Sequence, residues 1–218
     1  MYETRSLNPA LLSENLKKAV PDAPFIDRLK IAYRPYICPF HTLLQEIPIG
    51  SRIFDIGCGA GMFLFLCAQF REPTKLGGLE VKEQLVRQAG QLLHGVGIKP
   101  SLSLVKPGEL PSNISEFDTL TLIDVFHHVP ASAQQEFIQH IFDNMAKGAK
   151  LIFKDMNGAF PWAYFNKIHD LLLSGEIGHE ILPPHAQRLL SDAGFMISHE
   201  SKQRMFWYSH YTIIAQKP

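Results

Sequence analysis

Short runs of β-branched and apolar residues alternate along most of the chain with longer stretches whose apolar positions recur at helical spacing. The first run, Arg52-Ile-Phe-Asp-Ile56, leads into a glycine-rich turn and the apolar segment Met62 to Phe70, a strand, loop and helix in order. The same reading predicts strands at Lys75 to Val81, Ser101 to Val105, Thr119 to Val125 and Lys150 to Lys154, with helices at about Lys82 to Leu93 and Ser132 to Met145. Strands that are apolar on both sides and separated by helices belong to a parallel sheet covered on both faces. After residue 183 the pattern changes: a helix over Pro184 to Ala193 is stopped by Gly194, and strands at Phe195 to Glu200 and Trp207 to Ala215 make an antiparallel edge. Residues 1–48 carry helical signals interrupted by Pro21, Pro24, Pro35 and Pro39 and no strand, and are expected to pack across the sheet's end as a helical lid. The expected class is α/β with helices on both faces. No repeat or linker divides residues 49–218.

Composition narrows the function. The 218 residues are 46% hydrophobic and 19% charged, enough for a core and too apolar for disorder. With 21 basic and 21 acidic side chains there is no basic excess of the kind that neutralises phosphates, so no nucleic-acid partner is expected. Cys38, Cys58 and Cys67 are odd in number and lack metal-type spacing, which predicts reduced thiols in a cytoplasmic setting and no zinc site. The N-terminus lacks a basic start followed by an apolar run, and the longest apolar runs fall short of the ~20 residues that span a bilayer. A protein without an export signal or membrane span is expected.

The most informative residues are Asp55-Ile-Gly-Cys-Gly-Ala-Gly61, because a glycine-rich turn between a first strand and its helix lets backbone approach a ligand that side chains would exclude. A dinucleotide fingerprint requires a small residue three positions after its second glycine. Here Gly57 and Gly59 are followed by Met62 at that position, which disfavours an NAD-dependent oxidoreductase. Asp55 would repel a pyrophosphate but suits a ligand with an ammonium group, such as S-adenosylmethionine. Some 20 residues on, Glu80 ends the second strand, where a carboxylate accepts hydrogen bonds from both hydroxyls of a ribose. By itself Glu80 reads equally as an acid at the start of the helix near Lys82.

The segments Ile53-Phe-Asp-Ile-Gly-Cys-Gly-Ala-Gly61, Gly78-Leu-Glu80, Phe117-Asp118, Leu122-Ile-Asp-Val-Phe-His-His-Val129 and Leu190-Ser-Asp-Ala-Gly-Phe195 together resemble class I S-adenosylmethionine-dependent methyltransferases of the small-molecule type, over about residues 48–218. The resemblance implies a Rossmann-like seven-stranded sheet whose last strand is antiparallel and inserted. It implies that Asp55 and the backbone of Gly57, Cys58, Gly59 and Gly61 hold the methionine part of S-adenosylmethionine. Glu80 with Val81 beside it would take the ribose, and the stretch around Asp124 the far side of the amino acid. One departure stands out: many relatives carry an acid that meets the adenine amine where Lys106 stands here, and a cation cannot accept that bond. Adenine would then be read by backbone carbonyls or by Glu109. A non-catalytic domain that binds S-adenosylmethionine or supports a partner would keep the same residues.

Ligands of open α/β sheets bind beyond the carboxyl ends of the strands, which nominates Asp124 to His128 and Asp155 to Asn157. Neighbours in extended chain point to opposite faces, so His127 and His128 diverge unless the chain has turned. The resemblance favours His128 as base or substrate contact; the alternative is a histidine that fixes the loop by a main-chain hydrogen bond. Asp124, Asp155 and Asn157 raise a magnesium reading, but Met156 separates residues that metal-dependent relatives place side by side, so no metal is expected. An insertion at about residues 156–184 reads as a helix from Pro161. It carries Trp162, Phe165 and His169 along one face, either as core or as the wall of an acceptor pocket with His169 a second base candidate. Its aromatic character suggests a small acceptor with a hydrophobic or aromatic body. Tyr33 to Phe40 adds aromatic and cationic groups that either close over the cofactor or pack as a proline-stiffened connection. Oligomeric state is not legible in the sequence. Cys58 reads as the small residue its turn requires rather than as a nucleophile.

Overall fold

The computed structural model is described for residues 7–20, 25–157 and 181–218. Seven strands form one sheet: β1 (Arg52–Ile56), β2 (Lys75–Glu80), β3 (Ser101–Leu104), β4 (Thr119–Ile123), β5 (Lys150–Met156), β6 (Met196–Met205) and β7 (Tyr208–Gln216). Their order is β3-β2-β1-β4-β5-β7-β6, with β7 antiparallel between β5 and β6 and all other pairs parallel. The class and the inserted last strand are as expected. The chain passes from β1 outward to β3 and then returns to β4, so the order reverses between β1 and β4 and leaves a crevice beyond their carboxyl ends.

Helices α4 (Met62–Phe70) and α5 (Glu83–Leu92) follow β1 and β2; α6 (Gln134–Asn144) links β4 to β5, and α7 (Pro183–Asp192) precedes β6. The sheet separates two cores. On one side Phe54, Leu120, Leu122, Phe153 and Ile213 meet Ile138 and Ile141 of α6 and Leu190 of α7. On the other, Ile53, Ile123, Ile152 and Ile214 meet Leu64 of α4 and an N-terminal helical layer. That layer comprises α1 (Pro9–Ala19), capped by the Asn8 side chain accepting from Leu11 N–H at 3.0 Å, then α2 (Phe25–Ile37) and α3 (Phe40–Gln45).

The N-terminal helices differ from expectation in one respect: Leu12 and Leu16 of α1 and Leu43 and Leu44 of α3 pack on a face of the sheet, not across its end. The crossover helices α4 and α5 lie over β1 to β3, so apolar positions of β5 and β7 on that face need another cover. α2 reaches the cleft at the carboxyl end along several of its turns, joined there by Ala19 at the end of α1 and Phe40 at the start of α3. Pro35 lies inside α2, two residues before its end, although proline has no N–H to give the carbonyl four residues earlier.

Several boundaries also differ. β4 stops at Ile123 because Asp124 turns into the left-handed region, φ 53°, and β2 stops at Glu80. The helix expected from Ser132 begins as a short 3-10 turn, Ala131–Ala133, before α6. β6 runs to Met205, well past Glu200, with a bulge near Ile197 and His199. An edge strand with one neighbour needs no apolar face at every second residue, so its polar second half gave no strand signal.

Candidate functional site

The loop between β1 and α4 begins where Gly57 and Cys58 both donate backbone N–H to the Leu79 carbonyl at 2.9 Å, stapling the turn to β2. Gly57, Gly59 and Gly61 all have positive φ. Two of them are fixed by close packing: a Cβ on Gly57 would lie 2.4 Å from Val125 Cγ2, and one on Gly61 3.0 Å from Ala89 Cβ in α5. A Cβ on Gly59 would meet nothing within 4 Å, so that glycine combines its left-handed φ with open space.

Asp55 and Glu80 flank this loop. Asp55 is buried, and its Oδ1 accepts from Thr121 Oγ1 at 2.6 Å across the β1–β4 pair, where the two residues are in register. Burial is the chief cause that raises its pKa to about 7; the Thr121 bond opposes the shift and the Glu80 charge adds to it. Glu80 accepts from three backbone N–H groups, those of Gly59 (3.0 Å), Val81 (2.8 Å) and Lys82 (3.1 Å). A carboxylate offers about four acceptor sites, so Glu80 is held in one orientation with capacity for a further donor. Val81 is 44% exposed beside it. Both acids line an open cleft of about 2480 Å³. Ordinary ligand pockets occupy roughly 300–1,000 Å³, so this cleft has room for more than one small molecule.

This end of the cleft is floored by the glycine turn and lined by the two acids, with Gly59 open to the space between them and the rest of the cleft. The loop beyond β3 borders the same cleft. There Lys106 N–H donates to Glu109 Oε2 at 3.1 Å and Glu109 N–H to the Lys106 carbonyl at 3.0 Å, so the Glu109 carboxylate is turned back on its own loop, and the Lys106 residue is exposed.

Beyond β4 the electrostatics change. Asp124 Oδ2 accepts from Arg34 Nη2 of α2 at 2.8 Å and lies 3.6 Å from Cys38 Sγ, while Oδ1 is bonded to Lys154 Nζ of β5. Lys154 is fully buried and the Asp124 side chain only a tenth exposed. Despite burial, Lys154 first and Arg34 second hold the Asp124 carboxyl well below the usual carboxylate range. His210 on β7 beside them is driven down to about 3 by burial and then by Lys154, and so stays neutral.

The two histidines lie in a 3-10 turn, Phe126–His128, so the chain has already turned, and their rings lie side by side instead of diverging. His127 is buried: its Nδ1 is 2.6 Å from Asp155 Oδ1 and its backbone N–H donates to Asp155 Oδ2 at 3.0 Å. His128 is exposed, lines the cleft, and has its ring 4.1 Å from that of His127. Asp124 and Asp155 therefore engage different protein partners, and no cluster of three metal-ligating side chains occurs among the described residues. Trp162, Phe165 and His169 lie outside the described residues. Cys58 is buried and its thiol is pushed up by burial and by Asp55 and Glu80, the reverse of nucleophile activation.

The sequence reading did not find Lys154 or Thr121. Lys154 carried a usable signal: a lysine within the buried run Leu151-Ile-Phe153 needs an acidic partner nearby. Thr121 had none, since threonine is common in strands.

A methyltransferase domain family model matches residues 29–200. The chain is 22% identical over 126 residues to carboxy-S-adenosyl-L-methionine synthase of Campylobacter fetus, covering 56% of this chain and 53% of that protein. It is 26% identical over 113 residues to ubiquinone biosynthesis O-methyltransferase of an Azoarcus species, covering 51% and 46%. The matches thus span about half the length of these curated relatives. Among solved structures, magnesium protoporphyrin IX methyltransferase of Synechocystis, determined with S-adenosylhomocysteine bound, superposes with a TM-score of 0.67 at 18% identity over 94% of each chain.

Proposed function

This chain belongs to the methyltransferase domain family of S-adenosylmethionine-dependent enzymes, and from that membership we propose that it transfers a methyl group from S-adenosylmethionine to a small acceptor with a hydrophobic or aromatic body. The observation that carries the reading is the pairing of Asp55 and Glu80 around the open Gly59 in one cleft with His128. Asp55 and the backbone of Gly57, Cys58, Gly59 and Gly61 hold the amino-acid part, with the backbone around Asp124 on its far side. Glu80 and Val81 hold the ribose, and the loop from Lys106 to Glu109 borders the base.

S-adenosylmethionine, when bound, supplies a methyl group already activated by positively charged sulfur. The protein's work is therefore mainly to orient two molecules and exclude water, and effective molarities on the order of 10⁵ M or more are available from positioning alone. His128 stands at the cleft-facing end of the turn after β4 and is the base, or the polar contact, for the acceptor; His169 is the competing assignment. α2 and the segment after β5, with Trp162 and Phe165, form the acceptor's surroundings. The balanced charge supports a small molecule over nucleic acid, and three unpaired buried cysteines support a reducing, cytoplasmic location. No described helix is long and apolar enough to cross a membrane.

The test is calorimetry with S-adenosylmethionine, S-adenosylhomocysteine and NAD, followed by an acceptor screen with labelled cofactor. Binding of both adenosyl ligands and not NAD is expected, and saturable NAD binding alone sinks the reading. With an acceptor in hand, His128→Ala lowers turnover about 10²- to 10⁴-fold at nearly unchanged cofactor affinity if it takes the proton. A His128 variant with full turnover from pH 5 to 9 removes it from the mechanism, and a large loss only in His169→Ala moves the base.

A further inference from the structure

Phe206 and Trp207 are the two loop residues between β6 and β7, flanked by the paired Met205 and Tyr208. They are 57% and 44% exposed. Phe206 has φ 53°, at the first position of a two-residue hairpin loop, where glycine, asparagine or aspartate is the economical choice. A bulky aromatic is strained there and gains little from burial, so folding alone does not account for it. Arg204 Nε–H donates to the Phe206 carbonyl at 3.0 Å and closes the turn.

The rings of this tip run on into the body of the molecule. Phe206 lies 6.3 Å from Tyr33 of α2, Trp207 is 5.8 Å from Phe206 and 5.6 Å from Tyr208, and Tyr208 is buried against Ile37 and Met156. Tyr33 and Ile37 line the cleft that holds Asp55 and Glu80, as does Leu29, which is one turn before Tyr33 on the same side of α2 and 59% exposed.

We propose that Phe206 and Trp207, with Leu29 and Tyr33, form a platform that binds the aromatic body of the methyl acceptor. This rests on the methyl-transfer reading and names the surface that selects the substrate. The argument is continuity: the exposed rings adjoin the cleft through Tyr33, and offset or edge-on contact with aromatic side chains favours a flat aromatic partner. The strain at Phe206 is kept because the position of its ring serves binding.

The test titrates 8-anilinonaphthalene-1-sulfonate, as an aromatic probe, into the full chain saturated with S-adenosylhomocysteine and follows its fluorescence. Saturable binding to the parent is expected. Phe206→Gly relieves the backbone strain and is expected to melt at an unchanged temperature or up to roughly 2–4 °C higher, yet to bind the probe up to about tenfold more weakly. Trp207→Ser, Tyr33→Ala and Leu29→Ala weaken the probe as well. Absence of saturable probe binding by the parent, or unchanged affinity in Phe206→Gly, overturns the platform. A loss confined to the hairpin variants makes the tip an isolated patch and also overturns it. So does co-sedimentation with phosphatidylglycerol vesicles that Phe206→Gly abolishes while probe affinity stays the same, because the tip would then serve a membrane surface. Calorimetry with S-adenosylhomocysteine on the same proteins separates the two readings: retained cofactor affinity with lost probe binding supports the platform, and a parent that binds no cofactor overturns the methyl-transfer reading and the platform with it.

Discussion

Asp55 and Asp124 stand at the carboxyl ends of the neighbouring strands β1 and β4, both nearly hidden from water and both on the same cleft, yet their electrical surroundings are opposite. Asp124 is bonded by two cations and held far into its charged form. Asp55 has a threonine hydroxyl for a partner, Glu80 as a repelling neighbour, and a pKa raised to about 7. A compensated acid is part of the scaffold, whereas an acid whose charge is costly in the ligand-free protein gains most from a cationic ligand. Asp124 thus joins β4, β5 and α2, and Asp55 is the acid that our proposal sets against the cofactor's charge.

The largest effect that checks this division is on stability. Lys154→Met removes a fully buried ammonium and leaves Asp124 with Arg34 as its paired cation and the Cys38 thiol beside it. Breaking a buried ion pair costs about 3–5 kcal/mol, because the abandoned charge stays desolvated. Denaturant unfolding should show a loss near the lower end of that range, with most of it recovered in the double variant Lys154→Met, Asp124→Asn. A loss below about 1 kcal/mol would mean that Arg34 and water suffice, and that the scaffold role of the pair is wrong.

The two aspartates were unequally legible in the sequence. Asp55, the glycines and Glu80 act through local geometry, a strand end and the turn beside it, so their spacing alone placed them together. The partners of Asp124 lie 30 and 90 residues away, on β5 and α2, and only the fold brings them in. Lys154 could have been suspected from its apolar neighbours, but Arg34 could not be assigned to Asp124, because solvent-facing arginines on helices are common. Likewise, the alternation of apolar runs revealed the parallel strands, while β6, polar and at the edge, was seen for about half its length. Extended-chain geometry would set His127 and His128 on opposite faces, whereas the 3-10 turn brings their rings together, with the Asp155 carboxylate holding His127 inward and His128 left exposed.

The raised pKa of Asp55 makes the comparison sharper through pH. A carboxyl that titrates higher in the folded than in the unfolded chain favours the native state at low pH, and that contribution is lost as pH rises from about 4 through about 7. Binding runs the other way, since a cationic ligand prefers the ionised form. Affinity for S-adenosylmethionine should therefore rise by about 25-fold between roughly pH 5.5 and 7.5, the change expected if only ionised Asp55 binds. Calorimetry across that range measures it, with Asp55→Asn as the control: the variant should bind more weakly and without this pH dependence. A wild-type profile that is flat, or one that Asp55→Asn retains, would assign the titration elsewhere and place the cofactor's charge away from β1.

The smallest expected effect separates the two cations that share Asp124. The Arg34 side chain is 31% exposed whereas Lys154 is fully buried, although both reach the same carboxylate. Solvent around the guanidinium weakens its Coulomb attraction, and its removal leaves Asp124 still paired with Lys154. Pairs of this partly exposed kind contribute about 0–1 kcal/mol, so Arg34→Gln should cost at most about 1 kcal/mol, several times less than Lys154→Met. Because exposed pairs are screened, this loss should shrink between about 0.05 and 0.5 M salt, whereas the loss in Lys154→Met should not. Paired denaturation curves at the two salt concentrations test both statements. Equal losses in the two variants, or a salt-independent Arg34 effect, would show that α2 is fastened to β4 as firmly as β5 is. Asp124 would then be a clamp on the N-terminal helices, and the contrast with Asp55 would reach beyond the sheet into the layer that covers it.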